Sequence, residues 1–335
     1  MKKQVLLVTD ADKDDLYCLN LLMAQRHLGS IEVVGILCED GFLTYPENLN
    51  MVSFWLNTIL HIQGEIPLIR GIKPDPYLRQ QRQFPSTFIT SYVEQMTNVF
   101  GYVPCPPNPI PSFVELRDFM ETVMKQISDH SLYILTSGPF YSYEYICQQY
   151  PWFRNKMAKV FSMMGNLNVP GNVVPSDPND PTIVPNAEYN AWLSPNAWTL
   201  LSNHIPCFWR VVPLDCTNHV PLNPQTIQTI QTAALPYVKH CKDPFLLHSY
   251  DRGIQLLYTT LQTINTKLYM WDEVACILFF RFSSGQTYKK RRIWISWTGK
   301  LEIDKTFPKI RVYDSIDYSL FLQNLVSCQF QFQSL

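Results

Sequence analysis

Nowhere in the chain do about 18 apolar residues follow one another, the least a membrane-spanning helix needs. No apolar leader segment or cleavage site stands behind Met1-Lys2-Lys3-Gln4, which passes straight into a strand-like run. The expectation is a protein without a membrane span or Sec leader, cytoplasmic in location, with export by a route that reads no N-terminal signal left open. Cysteines at metal or redox spacing are also missing. The nine, at 18, 38, 105, 147, 207, 216, 241, 276 and 328, are odd in number and form no CxxC. Several, such as Cys18 and Cys276, fall within apolar helical patterns, the usage of small buried hydrophobes in a reducing compartment rather than of a disulfide framework. Charge is scarce. Charged residues make up 16% and the net charge is −1, so nothing electrostatic argues for nucleic acid or an acidic membrane as partner. The one basic run, Lys289-Lys290-Arg291-Arg292, follows the turn signal Ser283-Ser284-Gly285-Gln286 and reads as a solvated loop flanking a strand. No internal repeat and no shift of composition divides the chain, so residues 1–335 read as one domain.

What the chain does have is apolar content, 46%, enough for a sizeable core, in strand-type and helix-type segments that alternate. Val5–Val8, Ile31–Cys38, Ile66–Ile69, Ser131–Thr136, Val160–Met163 and Phe208–Val212 read as strands, with Arg292–Trp297 and Ile310–Tyr313 as late ones. Helical spacing runs through Leu16–Leu28, Asn48–Ile62, Ser112–Ile127, Pro224–His240 and Pro244–Ile264, with another helix starting at Ser194 and a helix or strand–helix junction over Tyr269–Arg281. Repeated βα units with apolar, non-alternating strands predict an α/β fold, a doubly wound and mostly parallel sheet covered on both faces. A long irregular stretch, about 71–111, rich in proline and aromatics, reads as a functional loop with a helix around Ile89–Val99.

The most informative turn is the first. Gln4–Asp15 empties a buried strand into four carboxylates within six residues, Asp10, Asp12, Asp14 and Asp15, the last two in the first turn of a helix. Such charges repel unless a cation sits among them. The ligands on offer are hard oxygens with no Cys or His beside them, which points to Ca2+ or Mg2+ rather than zinc. Carboxylates at a helix N-terminus also serve as plain caps, and that reading stays open for Asp14 and Asp15. In a doubly wound sheet ligands bind outside the carboxyl ends of the strands, where Asp10, Asp40 and Ser137 all lie. A second stretch, residues 160–197, ends a strand at Met163 and then offers Asn172, Glu188 and Asn190. Glu188 and Asn190 are two apart, on one side of an extended segment, and this mixed donor–acceptor set suits the vicinal hydroxyls of a sugar; turns and caps in a polar loop are the competing reading.

These motifs resemble those of the Ca2+-dependent nucleoside hydrolases. The DxxxDD turn (Asp10, Asp14, Asp15), Met163-Met164-Gly165-Asn166-Leu167-Asn168-Val169-Pro170-Gly171-Asn172-Val173, and Asn186-Ala187-Glu188-Tyr189-Asn190 followed by Leu193-Ser194-Pro195-Asn196-Ala197 are similar to family blocks. So are Leu214-Asp215-Cys216-Thr217-Asn218-His219-Val220-Pro221 and Trp271-Asp272-Glu273-Val274-Ala275, all in the family's order. The resemblance implies a Rossmann-like hydrolase that cleaves the N-glycosidic bond of ribonucleosides, expected as a dimer or tetramer. It assigns Asp10, Asp15 and Asp272 as Ca2+ ligands together with the backbone carbonyl of Ser137, whose side chain is expected to matter little. It places Asp14, Asn172, Glu188, Asn190 and Asp272 on the ribose, Met163 in the ribose pocket, and Asp40 near base and sugar. Trp271 stands where a tryptophan marks the purine-specific subgroup, implying a stacked purine and a role in purine salvage. Asp10 is the expected base toward a Ca2+-polarised water, and Asp272 shares the catalytic centre. Ala11, Asp12 and Lys13 depart from the family's Pro or Gly and small residue at the first two of these positions, Val8 stands where many members have Asp, and Gln81 falls where the purine subgroup has a second tryptophan, leaving Tyr77 or Phe84 for that face. Three other readings remain: a hydrolase of pyrimidine or other ribosides, a non-catalytic Ca2+- and ribose-binding relative, and, most distant, a metal-dependent phosphohydrolase, for which no Ser/Thr and Lys pair stands out.

Overall fold

A computed structural model describes residues 2–62, 66–74, 84–104, 112–173, 187–205, 208–262, 268–280, 286–296, 299–331 and 333. Its centre is a ten-stranded sheet formed by β1 (Lys3–Thr9), β2 (Ile31–Cys38), β3 (Leu68–Arg70), β4 (Val114–Glu115), β5 (Leu132–Thr136), β6 (Met157–Met163), β7 (Trp209–Val212), β10 (Gln286–Ile295), β11 (Leu301–Ile303) and β12 (Lys309–Ile316). A separate pair, β8 (Pro221–Leu222) and β9 (Leu268–Tyr269), is antiparallel. The sheet order is β11-β10-β12-β7-β6-β5-β1-β2-β3-β4. Every pairing from β12 to β4 is parallel, and only β10 pairs antiparallel, with β11 and β12.

The apolar strands are explained by burial on both faces. Val5 and Leu7 of β1 join one core and Leu6 and Val8 the other, so no polar face is left to alternate. From β1 the chain winds outward through β2, β3 and β4, then returns to lay β5 against the other side of β1. The order therefore reverses between β1 and β5, whose ends lie side by side in register, Val8 opposite Thr136. A crevice opens at such a reversal, outside the strand ends. Asp10 and Ser137, the residues just after these strands, stand at its mouth.

Several elements differ from the sequence expectation. Ser112–Ile127 is not one helix: Val114–Glu115 pairs with β3, and a short helix, Leu116–Thr122, follows. The helix expected over Asn48–Ile62 is α-helical only over Glu47–Phe54 and widens to a π turn at Trp55–Ile59, where the Trp55 indole N–H donates to Asn20 Oδ1 at 2.7 Å. The basic run is strand, not loop. Lys289 to Arg292 lie in β10 against β12, where Lys289 and Arg291 pair with Asp314. β11 and a terminal helix, Tyr318–Phe330 with Asp317 as its N-cap, were not expected. No described helix is long and apolar enough to cross a membrane. In the 71–111 stretch the expected helix runs over Ser86–Phe100, while Tyr77, Gln81 and the proline cluster lie outside the described residues.

Candidate active site

The acidic turn is built by its backbone. After β1, Ala11 adopts φ 65°, the left-handed region, and this swings the chain from Asp10 into the helix Lys13–His27. Asp12 is the N-cap: its carboxylate accepts from the Lys13 N–H at 2.6 Å, and its own N–H donates to Asp15 Oδ2 at 3.0 Å, closing a capping box. Capping thus uses Asp12 and one oxygen of Asp15, and leaves Asp14 outside it. The other Asp15 oxygen accepts from the Ser137 hydroxyl, a side-chain contact that the sequence did not suggest. Asp10 accepts from the Phe42 N–H at 2.6 Å, and a Cβ at Gly41 or Gly138 would collide with Asp10, which fixes both as glycine.

Proline cannot take a positive φ. Ala11→Pro should therefore lose the acidic turn at a cost of about 3 kcal/mol or more. Ala11→Gly should hold or raise stability by up to about 1 kcal/mol, since only glycine takes this conformation without strain. Urea denaturation of the three proteins checks the order; a stable Ala11→Pro protein would reject this geometry.

Opposite, the helix Trp271–Phe280 packs against Lys13–His27 and brings Asp272 and Glu273 to the same place. Ligand oxygens of Asp14, Asp15 and Asp272 lie within 4.8 Å of one another. Asp10 stands next to this group and shares a hydrogen bond with Asp15. Burial, and then mutual repulsion, push the carboxyl groups of Asp10, Asp14 and Asp272 well up from the ordinary range. Burial raises Asp15 too, against the hydrogen bonds it accepts. Asp272 Oδ1 is buried without a hydrogen-bond partner among the described residues. An all-oxygen donor set with an orphaned carboxylate oxygen fits a hard divalent cation. One cation of the protein is close: Lys13, lowered to about 8 by burial, donates to Gln95 Oε1 at 2.7 Å and lies over the Tyr92 ring.

The segment before the helix Tyr189–Leu193 forms the next wall. Glu188 and Asn190 do not lie on one extended segment. Glu188 is the N-cap, accepting from the N–H groups of Asn190 and Ala191 and from that of Gly165 at 2.8 Å. Burial lifts its carboxyl to about 7. The Asn190 amide donates to the Ser137 carbonyl at 2.7 Å and to the Met163 carbonyl at 3.1 Å, tying the ends of β5 and β6 together. Asn172 Oδ1 accepts from the Tyr189 N–H at 3.0 Å. The block 214–221 supports both walls: Asp215 accepts from Leu167 and Asn168, and Asn218 accepts from the Trp271 indole N–H at 3.2 Å.

One cavity is lined by Asp10, Asp14, Asp15, Ser137, Met163, Asn172, Glu188, Asn190, Trp271 and Asp272. Asp40 does not line it; its carboxylate accepts from the Tyr45 N–H at 2.8 Å. Phe42, two residues past Asp40, lines the cavity instead. Glu273, Phe42, Phe88, Tyr92 and Tyr269 also line the cavity and were not singled out from sequence. Glu273 had a signal, its place beside Asp272; the aromatics had none. Phe84 stacks on Tyr189 with ring centroids 3.8 Å apart, forming an aromatic wall in the cavity that Trp271 also lines.

The sequence model of the family described as "Inosine-uridine preferring nucleoside hydrolase" matches residues 5–323. The chain belongs to this nucleoside hydrolase family. It is therefore an enzyme of ribonucleoside hydrolysis, in a family that depends on a metal ion. Solved structures share the nucleoside hydrolase fold. A plant nucleoside hydrolase aligns with TM-score 0.71 and 15% identity over 98% of this chain and 99% of its own. The inosine-uridine preferring nucleoside hydrolase from Bacillus anthracis gives 0.72 and 16% over 98% and 99%. The purine-preferring ribonucleoside hydrolase from Gardnerella vaginalis gives 0.70 and 16% over 98% of each chain. No curated protein sequence matches it.

Proposed function

We propose that this nucleoside hydrolase cleaves purine ribonucleosides to free base and ribose, with Ca2+ as its cation and Asp10 as the base. What carries the reading is the meeting, in one cavity at the β1/β5 reversal, of a buried carboxylate cluster with sugar-type hydrogen-bonding groups and aromatic rings. Asp15 and Asp272 would hold the ion, with Asp10, Asp14 and the Ser137 carbonyl beside them. A bound Ca2+ supplies Lewis-acid polarisation of the attacking water. Asp10, whose carboxylate accepts from the Phe42 N–H, would be the group that takes a proton from the attacking water.

The remaining residues bind the sugar and the base. Glu188 gives three of about four acceptor positions to backbone N–H groups, which holds it rigidly and leaves one for a ribose hydroxyl. Asp14, Asn172 and Asn190 complete the hydroxyl contacts, and Met163 floors the pocket. The nearby carboxylates favour the positive charge that grows on the ribose ring as the glycosidic bond breaks. Trp271, held by Asn218, offers its ring face to a purine gaining positive charge, worth about 0.5–2 kcal/mol. Phe84 and Tyr189 form another aromatic surface of the cavity. The purine preference named for the Gardnerella vaginalis protein, of the same fold, agrees with this.

Incubation with inosine, guanosine, adenosine, uridine and cytidine, with and without EGTA, tests the proposal. Free base should appear from the purine ribosides, stop with chelator and return with added Ca2+. Faster release of uracil or cytosine would give the substrate to the pyrimidine reading. Nucleoside binding with no base released would make the chain a non-catalytic relative.

A further inference from the structure

The helices Lys13–His27 and Trp271–Phe280 open onto the site with the same pattern. Each has two adjacent carboxylates in its first turn, Asp14 and Asp15 on one, Asp272 and Glu273 on the other, and a buried cysteine one turn further on, Cys18 and Cys276. The two helices pack against each other, with the two thiols close enough to interact. Asp14, Asp15 and Asp272 form the close cluster already described. The fourth carboxylate, Glu273, belongs to no part of the machinery assigned so far.

Glu273 is 1% exposed and lines the same cavity. Its Oε2 has no hydrogen-bond partner among the described residues. Asp14 and Asp15, with the Cys276 thiol of its own helix, act against its charge. A carboxylate shut away from water among other anions is costly unless a positive charge is supplied. Asp12 and Asp14 act on the Lys13 ammonium, which donates to Gln95. Glu273 therefore lies buried beside the acidic cluster with an unpartnered oxygen, where an added positive charge would be favoured.

We propose that Glu273 is a further positioning residue of the divalent-cation centre, standing behind Asp14 and Asp15 and increasing through its charge how tightly the ion is held. This rests on the reading of Asp14, Asp15 and Asp272 as a cation cluster. Glu273 orders no substrate atom; it adds negative potential where the ion sits and gains in return the counter-charge it lacks.

The test measures ion binding directly, on the full chain and without nucleoside. Tb3+ luminescence sensitised by Trp271 and Tyr269, displaced by Ca2+, gives the affinity of wild type, Glu273→Gln, Glu273→Asp and the exposed control Glu302→Gln. The glutamine variant should bind Ca2+ about tenfold or more weakly, the least that one unit charge a few ångströms from a divalent ion is worth even in water. The aspartate variant should recover most of the affinity, and the control should match wild type. Cation-free Glu273→Gln should melt at or above the wild-type temperature, because a buried carboxyl group with an unpartnered oxygen has been removed. An affinity within twofold of wild type for Glu273→Gln would overturn the proposal. So would equal weakening in Glu273→Asp with a lowered cation-free melting temperature, which would make the side chain a packing element. If wild type itself binds no Ca2+, the cation cluster fails and this inference with it; a wild type that binds normally beside an unaffected Glu273→Gln leaves the cluster standing.

Discussion

Asp10→Asn should give a folded protein that releases base about 10^3-fold more slowly than wild type, the middle of the range that a positioned general base contributes. The substitution is chosen for what it keeps. The amide oxygen can still accept from the Phe42 N–H, the bond that pins the end of β1 to the turn after β2, and it fits the space bounded by Gly41 and Gly138. What it removes is the proton acceptor and one negative charge. Burial, and then repulsion from Asp15, hold the Asp10 carboxyl high in the cation-free protein, so replacing a group that is costly to ionise there should raise the melting temperature of the chelated protein while activity collapses. Stability and turnover then move in opposite directions, which misfolding cannot imitate. Steady-state release of hypoxanthine from inosine at saturating Ca2+ supplies the rate, and the loss should fall on kcat rather than KM. A kcat within tenfold of wild type would remove Asp10 from the chemistry.

How far such a site can be read from sequence depends on whether its residues are adjacent in the chain or only in space. β2, Ile31–Cys38, and the helix Pro224–His240 fall where the sequence puts them, because Gly29-Ser30 and the Asn223-Pro224 cap punctuate their starts. The acidic turn is equally local: a buried strand, a capping aspartate and a helix follow one another without interruption. The basic strand failed for the opposite reason. Lys289 to Arg292 look like a solvated loop until Asp314 of β12 appears across the sheet to receive Lys289 and Arg291. Glu188 and Asn190 suit the period of a strand, but the Glu188 carboxylate caps a helix, and a cap overrides a two-residue spacing. Asp40 shows that a strand end alone does not decide: Met163, at the end of β6, lines the cavity, and Asp40, just past β2, does not. Glu273 had only its place beside Asp272 to mark it in sequence; Asp14 and Asp15, which act on it, come from a helix distant in the chain.

Stripping the divalent cation should lower the melting temperature by roughly 5–10 °C at neutral pH, and the gap should close as the solution is made acidic. Ligand at about a thousandfold excess over its dissociation constant stabilises by about 4.1 kcal/mol, and each kcal/mol moves the melting temperature of a domain of 150–250 residues by about 2–4 °C, somewhat less in a longer chain. The pH dependence follows from the carboxylates. Without the ion, burial first and mutual repulsion second raise Asp10, Asp14 and Asp272, burial raises Asp15, and burial and Asp14 raise Glu273. The folded chain then keeps protons that the unfolded chain has released. The stability this gives is complete below the ordinary carboxylate range and is lost as pH climbs through the raised values. Burial raises Asp12 to about 6, in the same sense, whereas Lys13, lowered by burial to about 8, adds an opposing slope only above that pH. Chelated protein should therefore lose stability from pH 5 to pH 8. Loaded protein should change little, because the ion satisfies the charges that protons otherwise neutralise. Thermal melts at unit pH steps, with excess Ca2+ or with EGTA, measure both slopes. Superposable curves at every pH, or a chelated protein that gains stability toward pH 8, would mean that the cluster is not held together by a cation.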